Sequence, residues 1–203
     1  MLRVGLTGGL ASGKSFVGRA LRDLGCFLIE ADELGHQVMA RGAEAYPQIL
    51  TEFGPAILNE NEEIDRRKLG AIVFENPDLL AKLNAIVHPA VRARSSRLTE
   101  AFSQQDPHGI IVYEAAILVE TGSFREYNRL IVASCTEEQQ VERAVLRDHL
   151  TREEVHHRLR RQMPLEEKVK YADYVIDTSG TKEHTLDQTR TVYASLRRLE
   201  QQS

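Results

Sequence analysis

The stretch Gly8-Gly-Leu-Ala-Ser-Gly-Lys-Ser15 fits the phosphate-binding loop pattern G-x-x-x-x-G-K-[ST], with Gly8, Gly13, Lys14 and Ser15 at the fixed positions. The preceding run, 2–7, is short and apolar, as expected for a buried parallel strand. Apolar residues recur after the loop at helical spacing: Phe16, Val17, Ala20, Leu21 and Leu24. Because the motif requires this order of strand, turn and helix, a chance match is the weaker interpretation.

The residue types of this loop suit a nucleotide triphosphate. Glycines let several backbone N–H groups face one phosphate, and the helix N-terminus adds partial positive charge. Lys14 can reach the β- and γ-phosphates, and the Ser15 hydroxyl can bind Mg²⁺ as the metal cofactor. The amide of Phe16 is expected to be a free first-turn donor. The residues expected to bind ATP here are Gly8, Gly9, Ala11, Ser12, Gly13, Lys14, Ser15 and Phe16.

Composition limits the function classes. The chain has 203 residues and a net charge of −4, which argues against a general nucleic-acid binder. It lacks both a signal-peptide layout and an apolar run of membrane-spanning length, so we expect no membrane association. Cys26 and Cys135 lie in apolar runs and are expected to be buried thiols of a reducing compartment, hence a cytoplasmic protein.

Alternating strand and helix patterns predict an α/β fold of three layers, a P-loop NTPase fold with a five-stranded parallel sheet. The predicted strands are Leu2–Leu6, Cys26–Ile29, Ile110–Tyr113, Arg129–Ala133 and Tyr174–Ile176. We expect a core formed by 1–33, 108–136 and 171–203, a helical insert at 34–107, and a helix with an arginine-rich lid at 137–170. Helices are predicted for Glu33–Arg41, Tyr46–Phe53, Arg66–Phe74, Asp78–Phe102, a stretch from capping-box residue Thr136 to about Arg147, one from Thr151 to about Gln162, and about Lys182–Leu199.

Two carboxylates follow predicted strands. Asp32 comes after the second strand, where residues of an open α/β sheet face the ligand crevice, so it can accept the proton of an acceptor hydroxyl. The alternative is that Asp32 only caps the next helix. Glu114 ends the third strand, with Glu120 shortly after it, and can help to hold Mg²⁺ through water. A rim charge or a helix cap is an equal alternative for Glu114.

The arginines of 143–161 suit a mobile lid. Arg143 and Arg147 are four residues apart on one predicted helix face, and lid closure would bring guanidinium groups onto the transferring phosphoryl group. Arg147 is the stronger candidate, Arg143 and Arg158 are weaker, and surface charge explains the others. In the insert, Arg66 and Arg92 can meet substrate phosphate, while His88, before Pro89, is expected to mark a helix break and can be merely structural.

Together these motifs resemble the dephospho-CoA kinase family over nearly the whole chain. The matching segments are Thr7–Ser15, Glu30–Asp32, Ile64–Phe74, His88–Arg92, the lid pattern Arg143–Asp148 with Thr151–Glu153 and Gln162, and Ala172–Gly180. The resemblance implies ATP-dependent phosphorylation of the ribose 3′-hydroxyl of dephospho-CoA. It also implies a CoA-binding insert, Asp32 as general base, and Lys14 and Arg147 as phosphoryl stabilisers. The residues that we expect to contact the substrate are Asp32, Arg66, His88, Arg92 and Glu114.

The chain departs from the family pattern at several positions. Ala11 stands where the family often has Gly, so the loop must accommodate a Cβ, and Phe16 stands where it often has Thr. Glu30 replaces the first Asp of D-A-D. The segment 114–118 differs from the common D-x-P-L-L, which leaves the role of Glu114 open.

Three rival functions remain open at this point. Another P-loop small-molecule kinase, of the nucleoside monophosphate or shikimate type, would share the loop but not the long insert with His88. A GTPase would need a guanine-reading N-K-x-D, and Thr181–His184 lacks its Asp. A nonenzymatic ATP-binding protein would need neither Asp32 nor Arg147. The sequence does not choose between a monomer and a small homo-oligomer.

Overall fold

The computed structural model describes residues 1–73 and 76–202, and a five-stranded β-sheet lies within them. The strands are β1 (Leu2–Gly8), β2 (Phe27–Glu30), β3 (Ile110–Glu114), β4 (Arg129–Ser134) and β5 (Tyr174–Asp177). They lie in the order β2-β3-β1-β4-β5, and every neighbouring pair is parallel. The predicted sheet is confirmed, and each strand ends within two residues of its predicted bounds.

The described α-helices account for the long connections. They are α1 (Lys14–Asp23), α2 (Ala31–Met39), α3 (Tyr46–Phe53), α4 (Arg66–Val73), α5 (Pro77–Gln105), α6 (Glu137–Asp148), α7 (Arg152–Leu159), α8 (Leu165–Val169) and α9 (Lys182–Glu200). Parallel strands need such crossovers, and helices then cover the sheet. The predicted end of α4 at Phe74 lies outside the described residues. Of the described helices, none is long and apolar enough to cross a membrane.

The predicted capping boxes at the starts of α6 and α7 are confirmed. Thr136 and Thr151 each accept the N–H of the residue three positions on, and Gln139 and Glu154 complete the two capping boxes. The predicted end of α7 near Gln162 is wrong, because the helix ends at Leu159. The chain then makes tight turns up to Pro164, which precedes the unpredicted α8.

The expected helix break at Pro89 is also wrong. Pro89 lies inside α5, which is continuous from Pro77 to Gln105. A proline removes the bond to the carbonyl four residues earlier, here that of Ala85. Because Ala85 and Pro89 are both exposed, that carbonyl can bond to water, so the helix tolerates the loss.

The chain divides into two compact units, 1–30 with 101–203 and 31–100. In the first, β1, β3 and β4 pack against α1 and α9. Its central apolar side chains include Val4, Leu6, Val17, Leu21, Val112, Ile131, Ile176 and Leu196. The second is helical and has its own core, formed by Val38, Ala45, Ile49, Ile57, Leu69 and Val73. The assignment of separate roles to a core, an insert and a lid stays a prediction.

Candidate active site

The phosphate-binding loop connects β1 to α1. Gly13 has φ +85°, a left-handed conformation that suits glycine, and an added Cβ there would lie 3.0 Å from Thr178. Ala11 also has a positive φ, 53°. The loop thus accommodates a Cβ at Ala11 in a backbone conformation that costs about 1–2 kcal/mol for a residue other than glycine.

Side chains from distant parts of the chain hold the loop backbone. The Gln162 Oε1 accepts the N–H of Leu10 at 2.9 Å, and Gln140 Nε2 donates to the Leu10 carbonyl at 2.6 Å. Thr178 Oγ1 donates to the Ser12 carbonyl at 2.7 Å. The loop backbone is therefore held by bonds to α6, to the segment before α8 and to the residues after β5. Gln162 had a sequence signal in the lid pattern, and Thr178 lies in the matching segment 172–180, whereas Gln140 had none.

Lys14, Ser15 and Glu114 form a buried polar cluster. Glu114 Oε1 accepts from Lys14 Nζ at 2.7 Å and from Ser15 Oγ at 2.6 Å. The Glu114 side chain is 3% exposed, so the alternative of a rim charge is wrong. β3 is hydrogen-bonded to β1, which places the end of β3 beside the loop.

This cluster also fits Mg²⁺ by its donor chemistry. Mg²⁺ prefers oxygen ligands and usually combines one or two carboxylates with phosphate and water. The Ser15 hydroxyl lies at the start of α1, next to the Glu114 carboxylate. The second carboxylate oxygen, Glu114 Oε2, is buried and has no hydrogen-bond partner among residues 1–73 and 76–202. The oxygens of Ser15 and Glu114 are therefore suitable for a hydrated divalent cation.

The amide of Phe16 is not the free donor that the sequence predicted. It donates to the Gly13 carbonyl at 3.0 Å, because the first turn of α1 is tightened. The Val17 amide bonds to the same carbonyl at 3.2 Å. Lys14 and Ser15 lie earlier in that turn, where a helix offers no intrahelical acceptor. The first-turn amides best suited to phosphate are therefore those of Lys14 and Ser15.

The two arginines that the sequence predicts for a lid have different partners. Arg143 donates to the Thr178 carbonyl at 2.6 Å and to its hydroxyl at 3.3 Å. Arg147 is more exposed and makes two parallel bonds to the Asp148 carboxylate, at 2.8 and 2.9 Å. Hydrogen bonding from Arg147 lowers the pKa of Asp148. The structure therefore brings Arg143, but not Arg147, to the residues that contact the loop.

Other lid side chains make local contacts. Arg152 pairs with Glu138, and the charge of Arg158 lies close enough to Asp148 to lower its pKa further. Glu120, the second carboxylate after β3, pairs with Lys168 at 2.7 Å rather than with Lys14 or Ser15. Lys168 had no sequence signal as a functional residue.

Asp32 is the second residue of α2 and follows the last residue of β2, Glu30, by two positions. Its side chain is exposed. The alternative that Asp32 caps the helix from outside is wrong, because α2 already begins at Ala31. A carboxylate in the first turn still interacts favourably with the helix dipole. Its exposed side chain can act on a bound molecule.

In the helical unit, His88 and Arg92 lie on one open face of α5, together with Ala81, Asn84, Ala85 and Pro89. These residues are spaced three or four apart and so share one helix face. Arg66 is the first residue of α4, which begins after Asp65, whose Oδ1 accepts the N–H groups of Arg67 and Lys68 at 2.9 and 3.2 Å. The predicted helix start at Asp65-Arg66 is confirmed.

The two cysteines differ from each other. Cys26 is buried, as expected, and burial raises its pKa to about 12. Cys135, directly after β4, is only half-buried, so the expectation of two buried thiols is wrong for it. Both thiols are free.

Comparison with known proteins gives concordant results. A family model described as dephospho-CoA kinase matches residues 2–184. The dephospho-CoA kinase of Aquifex aeolicus is 41% identical over 198 residues, which cover 98% of this chain and 99% of the relative. Among solved structures, TT1252 from Thermus thermophilus is 31% identical with a TM-score of 0.81, over 96% of both chains. The dephospho-CoA kinase from Campylobacter jejuni is 25% identical with a TM-score of 0.66, also over 96% of both chains.

Proposed function

We propose that this chain, which belongs to the dephospho-CoA kinase family, transfers the γ-phosphoryl group of ATP to the ribose 3′-hydroxyl of dephospho-CoA, the last step of CoA biosynthesis. The products are CoA and ADP. The observation that carries this proposal is the family match over residues 2–184, which includes the loop, Asp32 and the lid segment.

We propose that the loop and its lysine receive the ATP phosphates. Lys14 Nζ and Ser15 Oγ both donate to one oxygen of Glu114, so the two groups that would meet nucleotide are already aligned side by side. A phosphate carries more charge than a carboxylate and can replace it at Lys14. Mg²⁺, held by Ser15, would supply positive charge against the β- and γ-phosphates. The loop geometry thus serves positioning and charge stabilisation, the main demands of phosphoryl transfer.

Asp32 is proposed as the general base. It would accept the proton of the 3′-hydroxyl while that oxygen forms a bond to the γ-phosphorus and the bond from phosphorus to the β–γ bridging oxygen breaks. The electron pair of the broken bond leaves with ADP. An exposed carboxylate directly after a strand of the parallel sheet, within a segment resembling D-A-D, supports this role.

Arg147 is proposed to stabilise the transferring phosphoryl group together with Lys14. Its guanidinium would exchange the Asp148 carboxylate for phosphate oxygens, which have the same bidentate geometry. Arg143, bonded to Thr178 next to the loop, is proposed to contact ATP. Both residues lie on α6, so movement of its C-terminal turn would affect Arg147 first.

The helical unit is proposed to bind dephospho-CoA through Arg66, His88 and Arg92. The open face of α5 supports this, because it offers a cation and an imidazole beside small apolar side chains. Glu114 is also proposed to contact the substrate, because it lies beside Lys14 and Ser15. We further propose that the protein is cytoplasmic and that it is a monomer or a small homo-oligomer.

A substrate panel tests this function. The purified chain is mixed with Mg·ATP and dephospho-CoA, and CoA is measured by mass, with shikimate, gluconate and nucleoside monophosphates in parallel reactions. We expect CoA from dephospho-CoA and no phosphorylated product from the other acceptors. Product from one of those acceptors without CoA would contradict the proposal while leaving the loop as a phosphate site.

A further inference from the structure

Lys168 is a buried cation that the mechanism above does not use. It lies in α8, its side chain is 0% exposed, and it is among the largest fully buried side chains of the described residues. A buried charge costs several kcal/mol unless it is paired and hydrogen-bonded. Lysine is almost never fully buried without such partners. The site of Lys168 must therefore supply specific acceptors.

Three acceptors surround the ammonium group. Lys168 Nζ donates to the Ala116 carbonyl at 2.6 Å and to the Gly8 carbonyl at 3.3 Å, and it pairs with Glu120 Oε1 at 2.7 Å. An ammonium group has three N–H donors, so these contacts can satisfy it completely. The same Glu120 oxygen accepts the Met163 N–H at 3.1 Å.

Two of these acceptors belong to the elements that build the phosphate site. Gly8 is the last residue of β1 and the first of the phosphate-binding loop. Ala116 follows Glu114, the end of β3, by two residues, and its carbonyl also accepts from Thr7 Oγ1 at 3.1 Å. The ammonium therefore ties the start of the loop to the chain just beyond Glu114. The contact of Glu114 with Lys14 and Ser15 depends on the position of these two segments relative to each other.

We propose that Lys168 is a positioning residue for phosphoryl transfer, which fixes the phosphate-binding loop against the end of β3 by holding the carbonyls of Gly8 and Ala116. This rests on the proposed binding of ATP phosphates by the loop. Lys168 itself touches no reacting atom in this account. It acts through the loop backbone and through the alignment of Lys14 with Glu114.

The electrostatics agree with a constrained cation near the phosphate site. Burial lowers the pKa of Lys168, while the hydrogen bond and charge of Glu120 raise it. The positive charge of Lys14 also lowers it, so the two ammonium groups lie close enough to interact. Burial thus disfavours the charged form of Lys168, and Glu120 opposes that effect.

The test compares nucleotide binding by wild type and three variants without any acceptor substrate. Lys168→Met keeps an unbranched side chain but removes the charge and the donors. Glu120→Gln keeps an acceptor but removes the partner's charge. Lys170→Met is the matched control, since Lys170 is an exposed lysine two residues away that pairs with exposed Glu167. Calorimetry gives the Kd for ATP and for AMP, which lacks the two outer phosphates. A separate kinetic assay with dephospho-CoA added gives KM for both substrates.

Loss of positioning should weaken ATP binding by roughly tenfold or more in Lys168→Met, the scale of one charged hydrogen bond, with a smaller effect in Glu120→Gln. The Kd for AMP, the KM for dephospho-CoA and all values of Lys170→Met should change by less than about threefold. A merely structural role would instead lower the Tm and the binding stoichiometry and leave the Kd for ATP unchanged, which would overturn the proposal. If Lys168→Met does not fold, an unchanged Kd for ATP in Glu120→Gln overturns it.

Because these binding measurements need no acceptor, they are independent of the substrate panel. A wild type that binds ATP but makes no CoA would contradict the proposed function, while the ratio of variant to wild-type affinity would still decide the role of Lys168.

Discussion

Gly18→Ala should disrupt the cluster of Lys14, Ser15 and Glu114 by displacing the Glu114 carboxylate. Gly18 is a buried residue of α1, and a Cβ added there would come closer than 3.0 Å to Glu114 Oε2. Glu114 is held on its other oxygen by bonds of 2.7 and 2.6 Å. A shift of the carboxylate by roughly half an ångström would weaken both bonds, since it lengthens them to about 3.1–3.2 Å, at or just beyond the long end of the usual range.

The size of the effect follows from two opposed terms. Alanine is favoured over glycine inside a helix by about 1 kcal/mol. Hydrogen bonds that involve charged groups contribute about 1.5–3 kcal/mol each, and the displaced carboxylate weakens two of them. We expect Gly18→Ala to lower the free energy of unfolding by about 2 kcal/mol, which corresponds to roughly 4–8 °C in Tm for a chain of this size.

The matched control is Gly35→Ala in α2, where an added Cβ has no neighbour within 4 Å. That variant should gain about 1 kcal/mol from helix propensity alone. Thermal and urea unfolding of both variants measure the difference, and the Gly18→Ala effect should largely vanish in a Glu114→Ala background. A Gly18→Ala variant as stable as Gly35→Ala would show that Glu114 is not held against the loop.

Further predictions concern the lid, the loop and a buried thiol. Arg147→Met should lower kcat by roughly 10³-fold or more with little change in Tm, whereas steady-state assays of Arg152→Met, an exposed arginine paired with Glu138, should give near-normal turnover. Ala11→Gly relieves a positive φ and should leave the protein equally stable or up to about 1 kcal/mol more stable in urea unfolding; a clear destabilisation would contradict the left-handed conformation. Burial raises the pKa of Cys26 from 9.0 to about 12, so the folded state keeps a proton that the unfolded state loses, and stability should fall as pH rises above about 9. This alkaline loss should be shallower in Cys26→Ala, and an identical slope in urea titrations across pH 8–11 would contradict the burial effect.

Local signals explain what the sequence predicted well. The loop pattern and the apolar runs fix β1, α1 and the other strands, because each depends on residues that are close in the chain. Thr136 and Thr151 mark helix starts for the same reason, since their caps bond to residues three positions away.

Contacts between distant residues explain most of what the sequence did not predict. Lys168 meets Gly8 across 160 positions, and the order of the strands brings them together. The contact of Glu114 with Lys14 likewise depends on β3 lying beside β1, which a position at a strand end suggests but does not fix. Pro89 was misjudged because the cost of a proline depends on whether the lost carbonyl partner is exposed to water.

We propose that Asp32 takes the proton of the acceptor hydroxyl while the loop holds ATP. The turnover of Asp32→Asn, measured beside that of Glu33→Gln, an exposed acid in the same first turn of α2, tests this role. The role predicts that Asp32→Asn keeps its Tm and its Kd for ATP but loses roughly 10²–10⁴-fold in kcat, with Glu33→Gln close to wild type. Near-normal turnover in Asp32→Asn would contradict it.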